Sequence, residues 1–134
     1  MTIRTIFLTA LATLLPAAQA AADVVHVFEC HLNEGASALQ VIQRSADWLK
    51  AARAMPGGED IQVSLEIPMA AGSGVKGFNY VVISPNLSKW GEFYDNYEGS
   101  GAAAADVGFE AVATCGNSSL FSSIEITPAM SDSK

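Results

Sequence analysis

Apolar residues occupy both alternating sets from Val24 to Leu32, the pattern of a strand buried on most of both faces. Asn33, Glu34 and Gly35 break it, and Ser37 opens an S-x-x-Q capping box with Gln40 that predicts a helix start. In that helix Leu39, Ile42, Ala46 and Leu49 recur at spacings of three and four, flanked by Val41, Trp48 and Ala52. Gln43, Arg44, Asp47, Lys50 and Arg53 take the other side, and Pro56, Gly57 and Gly58 stop the helix. From Ile61 to Ile67 the alternation is clean, with Ile61, Val63, Leu65 and Ile67 opposed to Gln62, Ser64 and Glu66, a strand wet on one side. Pro68 and the stretch Ala71, Gly72, Ser73, Gly74 make a connection longer than a tight hairpin before a third strand, Phe78 to Ser84.

Ser84 and Pro85 predict the next helix start, because serine caps well and proline fits the first helical position. Leu87, Trp90, Tyr94 and Tyr97 follow at helical spacing until the Glu98 to Gly101 break. Ala102 to Thr114 has the alanine content of a further short helix. Leu120 to Thr127 alternates as a last strand, and Pro128 onward is a polar tail expected to be disordered.

The order strand, helix, strand, strand, helical segment, strand predicts an α+β fold of the ferredoxin-like, split βαβ kind: a four-stranded antiparallel sheet with helices on one face. Within it the first and third strands are expected in the middle and parallel, with the fourth antiparallel beside the first. Cys30 ends the first strand and Cys115 precedes the fourth, so antiparallel neighbours bring the two cysteines of the chain together. A bridge closing so long a loop stabilises by about 4 to 5 kcal/mol on the chain-entropy account.

The first twenty residues read as a secretory signal peptide: Arg4, an apolar run from Ile6 to Leu15, and Ala18-Gln19-Ala20 as the cleavage site. The run is about 10 residues, whereas a membrane span takes about 20. The mature chain is then expected to start at Ala21, to form one domain over residues 21–127, and to work in a secreted or periplasmic setting where a Cys30–Cys115 disulfide persists. Seven Lys and Arg stand against fourteen Asp and Glu, a net charge of -7, and the few bases are scattered. Nucleic acid is excluded as a partner, since phosphate binding needs a concentrated basic surface. No second stretch is apolar and long enough to anchor the mature chain in a membrane.

In element order, from Val24 to Thr127, the chain resembles the dimeric α/β-barrel superfamily that includes antibiotic-biosynthesis-monooxygenase-like proteins. The run from Cys115 to Ser123 is similar to small bacterial exported proteins, a resemblance that implies no activity. The superfamily resemblance implies two sheets paired face to face in a homodimer, with a pocket between each sheet and its helices. It carries over no catalytic residue. Val25, Val27, Val81 and Ile83 alternate against Val24, Phe28, Tyr80 and Val82, so whichever set meets the helices, the other calls for a cover. A second copy is the expected one, and the Ala102 to Thr114 segment folded across that face is the alternative.

Candidate chemistry is sparse. His26 and His31 are separated by an odd number of positions, so they face opposite sides of the sheet and cannot form one metal site. No metal site and no cofactor are expected. The serines near Cys115 lack a nucleophile elbow, and no Ser-His-Asp set is assignable. The candidate ligand-binding residues are His26, Trp48, Asn79, Tyr80, Trp90 and Tyr94, converging on the seam between the sheet and the helix that carries Trp90 and Tyr94. Three function classes stand open. One is an exported domain that binds a small, partly apolar ligand or a protein partner without catalysis. Another is a cofactor-independent oxygenase, with His26 or His31 as acid or base. A protein that acts simply by dimerising is a third.

Overall fold

The computed structural model describes residues 23–69 and 77–124. The expected signal peptide, all of the Ala71 to Gly74 stretch, the last residues expected in the fourth strand and the expected polar tail lie outside them. The elements run β1 (Asp23–Leu32), α1 (Ala38–Ala52), β2 (Gln62–Glu66), β3 (Phe78–Ser84), α2 (Leu87–Asp95), α3 (Gly101–Glu110) and β4 (Ala113–Ser123). They form the expected α+β ferredoxin-like fold, with a four-stranded antiparallel sheet in the order β2-β3-β1-β4.

The expectation that the first and third strands are parallel is corrected: β1 and β3 pair antiparallel, with Val24 opposite Ser84 and Phe28 opposite Tyr80. The α1 crossover returns the chain in the direction of β1, the β2–β3 turn reverses it, and β3 therefore fills the gap between β1 and β2 running against both. Registered residues share a face. Val24, His26, Phe28, Cys30, Tyr80 and Val82 thus lie on one side of the sheet, and Val25, Val27, Glu29, Asn79, Val81 and Ile83 on the other.

All three helices cover the first side. Val41, Trp48, Phe93, Ala102 and Phe109 join Cys30, Tyr80 and Val82 in one buried cluster. The segment read as Ala102 to Thr114 therefore does not cross the opposite face, where Val25, Val27 and Ile83 stay partly exposed and Val81 is buried. That segment is also shorter than expected as a helix. Ala111 caps the end of α3, and the chain is already in β4 at Ala113.

The capping box forms as expected, with the Ser37 amide donating to Gln40 Oε1 across 2.8 Å. The buried stripe of α1, however, is Val41, Ser45, Trp48 and Ala52, while Leu39 and Ile42 are exposed. Ser45 hides this stripe from a hydropathy reading. Its hydroxyl donates to the Val41 carbonyl across 2.7 Å, so it is buried at little cost. At the next helix the cap is Asn86 rather than Ser84: Asn86 Oδ1 accepts from the Lys89 amide across 2.9 Å, because Ser84 is still paired in β3. Tyr97 lies past the end of α2, in the turn before the Ser100 cap of α3. Gly57, with φ +79°, lets the α1–β2 turn pack on α2, where a Cβ would sit 2.6 Å from both the Lys89 carbonyl oxygen and the Phe93 amide nitrogen.

The fourth strand begins seven residues before the expected Leu120, at Ala113. Its first half, Ala-Thr-Cys-Gly-Asn-Ser-Ser, has no apolar alternation to betray a strand. Pairing with β1 holds it there: Cys30 registers with Cys115 and the two are joined by a disulfide, Cα to Cα 4.0 Å. Between Phe28–Ser118 and Cys30–Cys115 the register slips by one, a bulge on β4. That extra residue returns Cys115 and Ser118, three positions apart, to the same helix-facing side.

Candidate functional site

The helix-facing side of the sheet does not pack flush. A cavity of about 610 Å³ remains between it and the helices. Phe28, Tyr80 and Val82 form its floor, Trp48 of α1, Tyr94 at the end of α2 and Tyr97 in the turn after it form walls, and Asp106, Phe109 and Glu110 of α3 close it toward β4. Ala113, Thr114, Cys115, Gly116 and Ser118 complete the β4 side. Among the described residues, no lysine, arginine or histidine lines it.

The rings are held by edge contacts and three hydrogen bonds. Tyr80 meets Trp48 and Phe109 edge-on, with centroids 6.1 and 4.9 Å apart. The Trp48 indole donates to the Tyr97 hydroxyl across 3.0 Å, and that hydroxyl donates to Asp106 Oδ2 across 3.1 Å. Beside Tyr97, and stacked on it with centroids 5.8 Å apart, Tyr94 shares a 2.9 Å hydrogen bond between its hydroxyl and Nδ1 of His26. The Tyr80 hydroxyl is buried without a partner. Ser45 lies beside it, but that serine's proton is committed to the Val41 carbonyl.

Burial sets the protonation of this site. It pushes the Tyr94 phenol up to about 12, with the Asp106 charge adding to the effect. Burial is also the main cause that raises Tyr80 and Tyr97 well above the ordinary phenol range, so all three hydroxyls keep their protons near neutral pH. Asp106 is raised too. Desolvation leads, the Tyr97 hydrogen bond opposes it, and the like charge of Glu110 reinforces it. Burial lowers His26 from its ordinary 6.5, which favours the neutral imidazole. A neutral ring carries one proton. If it sits on Nε2, Tyr94 donates to Nδ1; if on Nδ1, the histidine donates and the phenol proton is free to turn into the cavity.

Of the six residues picked from sequence, Trp48, Tyr80 and Tyr94 line the cavity. His26 stands one step behind, touching it through Tyr94. Trp90 packs on Tyr94 and His26, with centroids 4.7 and 6.2 Å away, outside the lining, and its indole N–H is buried without a partner. Asn79 is on the other side of the sheet, where its amide donates to Glu66 Oε2 across 3.2 Å. One position from Tyr80 on a strand, it must point the opposite way. The sequence reading passed over Asp106, Phe109 and Glu110. A signal was there: the only two acids of Gly101–Glu110 stand four apart, on one helical face.

Among the described residues no three His, Cys, Asp or Glu side chains group as metal ligands. Both cysteines are consumed by the disulfide, and no described helix is long and apolar enough to cross a membrane.

No family model matches the chain. No curated protein matches it either. Solved structures do. SnoaB, a cofactor-independent oxygenase from Streptomyces nogalater, superposes with a TM-score of 0.53 at 12% identity, covering 81% of this chain and 99% of that one. A dimeric ferredoxin-like protein of unknown function from Thermobifida fusca superposes at 0.50 with 15% identity, covering 76% and 92%. At this identity the likeness is one of fold alone.

Proposed function

We propose that the protein binds a small, partly apolar ligand in the cavity between its sheet and helices, without catalysis. One observation carries this reading: a space of about 610 Å³ lined by six aromatic rings and a few polar groups, within the size range and chemistry of small-molecule sites. Packed cores leave no such space. Native mass spectrometry of protein freshly isolated from its own host tests it, with a saturable 1:1 adduct as the expected result. Ser118→Trp, an exposed lining position on β4, should fill the mouth and abolish the adduct. Protein that carries no small molecule and gains no thermal stability from any aromatic compound tried would refute the reading.

A catalytic reading has its own support. The chain shares the fold of a cofactor-independent oxygenase, and His26, inclined to neutrality, is hydrogen-bonded to a phenol that lines the cavity. Oxygen uptake with electron-rich phenols, lost in His26→Gln, distinguishes this from binding alone.

The proposal extends to setting and assembly. We take residues 1–20 as a cleaved export signal, so N-terminal sequencing of exported protein should begin at Ala21. A homodimer is supported by the sheet face away from the helices, where the partly exposed Val25, Val27 and Ile83 are joined by Phe121 of β4, opposite Val25. Phe121 is 53% exposed in the single chain.

A further inference from the structure

We infer that the cavity takes an organic ammonium ion, its charge against Asp106 and Glu110 and its apolar or aromatic body among the rings. This deepens the binding reading above and rests on it. The two carboxylates are four residues apart on α3, both line the cavity, and the charge of Glu110 opposes ionisation of Asp106. Like charges in that spacing destabilise a helix. They also lie in its C-terminal half, with no basic residue in the last turn, where the macrodipole disfavours negative charge. Neither has a salt-bridge partner among the described residues.

A cation in the cavity relieves all three penalties together. The surroundings suit one kind of cation. Phe28, Trp48, Tyr94 and Phe109 present aromatic surface in a partly desolvated space, which attracts a positive group carried on an apolar body. Asp106 has used Oδ2 to accept from Tyr97 and retains lone pairs for an ammonium N–H. A bare metal ion is a poor match, since calcium takes about 6 to 8 oxygen ligands and no third ligating side chain joins these two among the described residues. An organic anion would meet two carboxylates and, among the described residues, no base.

The test titrates the full, disulfide-intact protein by calorimetry with three probes on a similar frame: phenethylammonium, 2-phenylethanol and phenylacetate. The ammonium should bind at least about tenfold tighter than the alcohol, and phenylacetate weakest. Asp106→Asn should bring ammonium and alcohol to within about twofold of each other, and Glu110→Gln, at an exposed position, should reduce the preference part of the way. If the alcohol or the acid binds as well as the ammonium, or the preference survives both substitutions, the charge assignment is overturned while the cavity remains a binding site. If none of the three binds, both readings fall.

Discussion

The Tyr97 hydroxyl donates to Oδ2 of Asp106 across 3.1 Å, joining the turn after α2 to the middle of α3. The Tyr97 hydroxyl oxygen itself accepts from the Trp48 indole of α1 across 3.0 Å. One phenol thus ties three helical segments together at the cavity wall. The carboxylate it serves is nevertheless held under strain of charge, because burial and Glu110 both oppose its ionisation.

Replacing Asp106 by asparagine should therefore raise stability near neutral pH, since the amide oxygen still accepts from Tyr97 and carries no charge. The sign follows from the raised folded value. Between the ordinary 3.8 and that value the folded state holds the extra proton, so the wild type loses stability as pH rises through the window. Urea unfolding at neutral pH should favour the variant, and the difference should shrink as pH falls below 3.8. A residue whose removal stabilises the fold while the preference for an ammonium ligand is lost is the expected mark of a functional site.

His26 acts in the opposite sense. Its folded value lies below 6.5 through burial, so the unfolded chain takes up its proton first on acidification. The contribution is whole above 6.5 and is lost as pH falls through the folded value. The imidazole signals of His26 should titrate with a midpoint below 6.5 by NMR, and His26→Gln should flatten the acid side of the stability profile. A midpoint at or above 6.5 would contradict the burial argument.

The Cys30–Cys115 disulfide closes a separation of 85 residues and fastens the mostly exposed edge strand β4 to β1. The double substitution Cys30→Ala with Cys115→Ala should cost about 4 to 5 kcal/mol in urea unfolding. Hydrogen exchange should rise first in Ala113–Ser123, whose packing is otherwise slight. Uniform loosening across the sheet would count against a local clamp.

Assembly is checked on the open face. Sedimentation at micromolar concentration should show a dimer, and Ile83→Lys should return it to a monomer without loss of helical signal, since Ile83 points away from the helices. A wild-type monomer that does not associate on raising concentration would leave the open face without this partner.

The alternation of apolar residues along β1, β2 and β3 and the Ser37 capping box determined the fold class, because half-buried strands and capped helix ends write their periods directly into the chain. The pairing of Cys30 with Cys115 was legible for the same reason, once strand order placed them side by side. What alternation could not show is whatever pairing alone decides. The start of β4 at Ala113 is held by β1 and by the disulfide, and the true inward stripe of α1 runs through Ser45. Asn79 could be assigned to the far face only once Tyr80 was placed on the helix side. The cavity is the fullest case. Trp48, Tyr80 and Tyr94 were visible as aromatic residues at core-like spacing, but whether such rings pack shut or surround a space depends on where α3 sits. Only the tertiary structure brings Asp106 and Glu110 over the sheet, since packing between distant segments is a property of shape that no local period encodes.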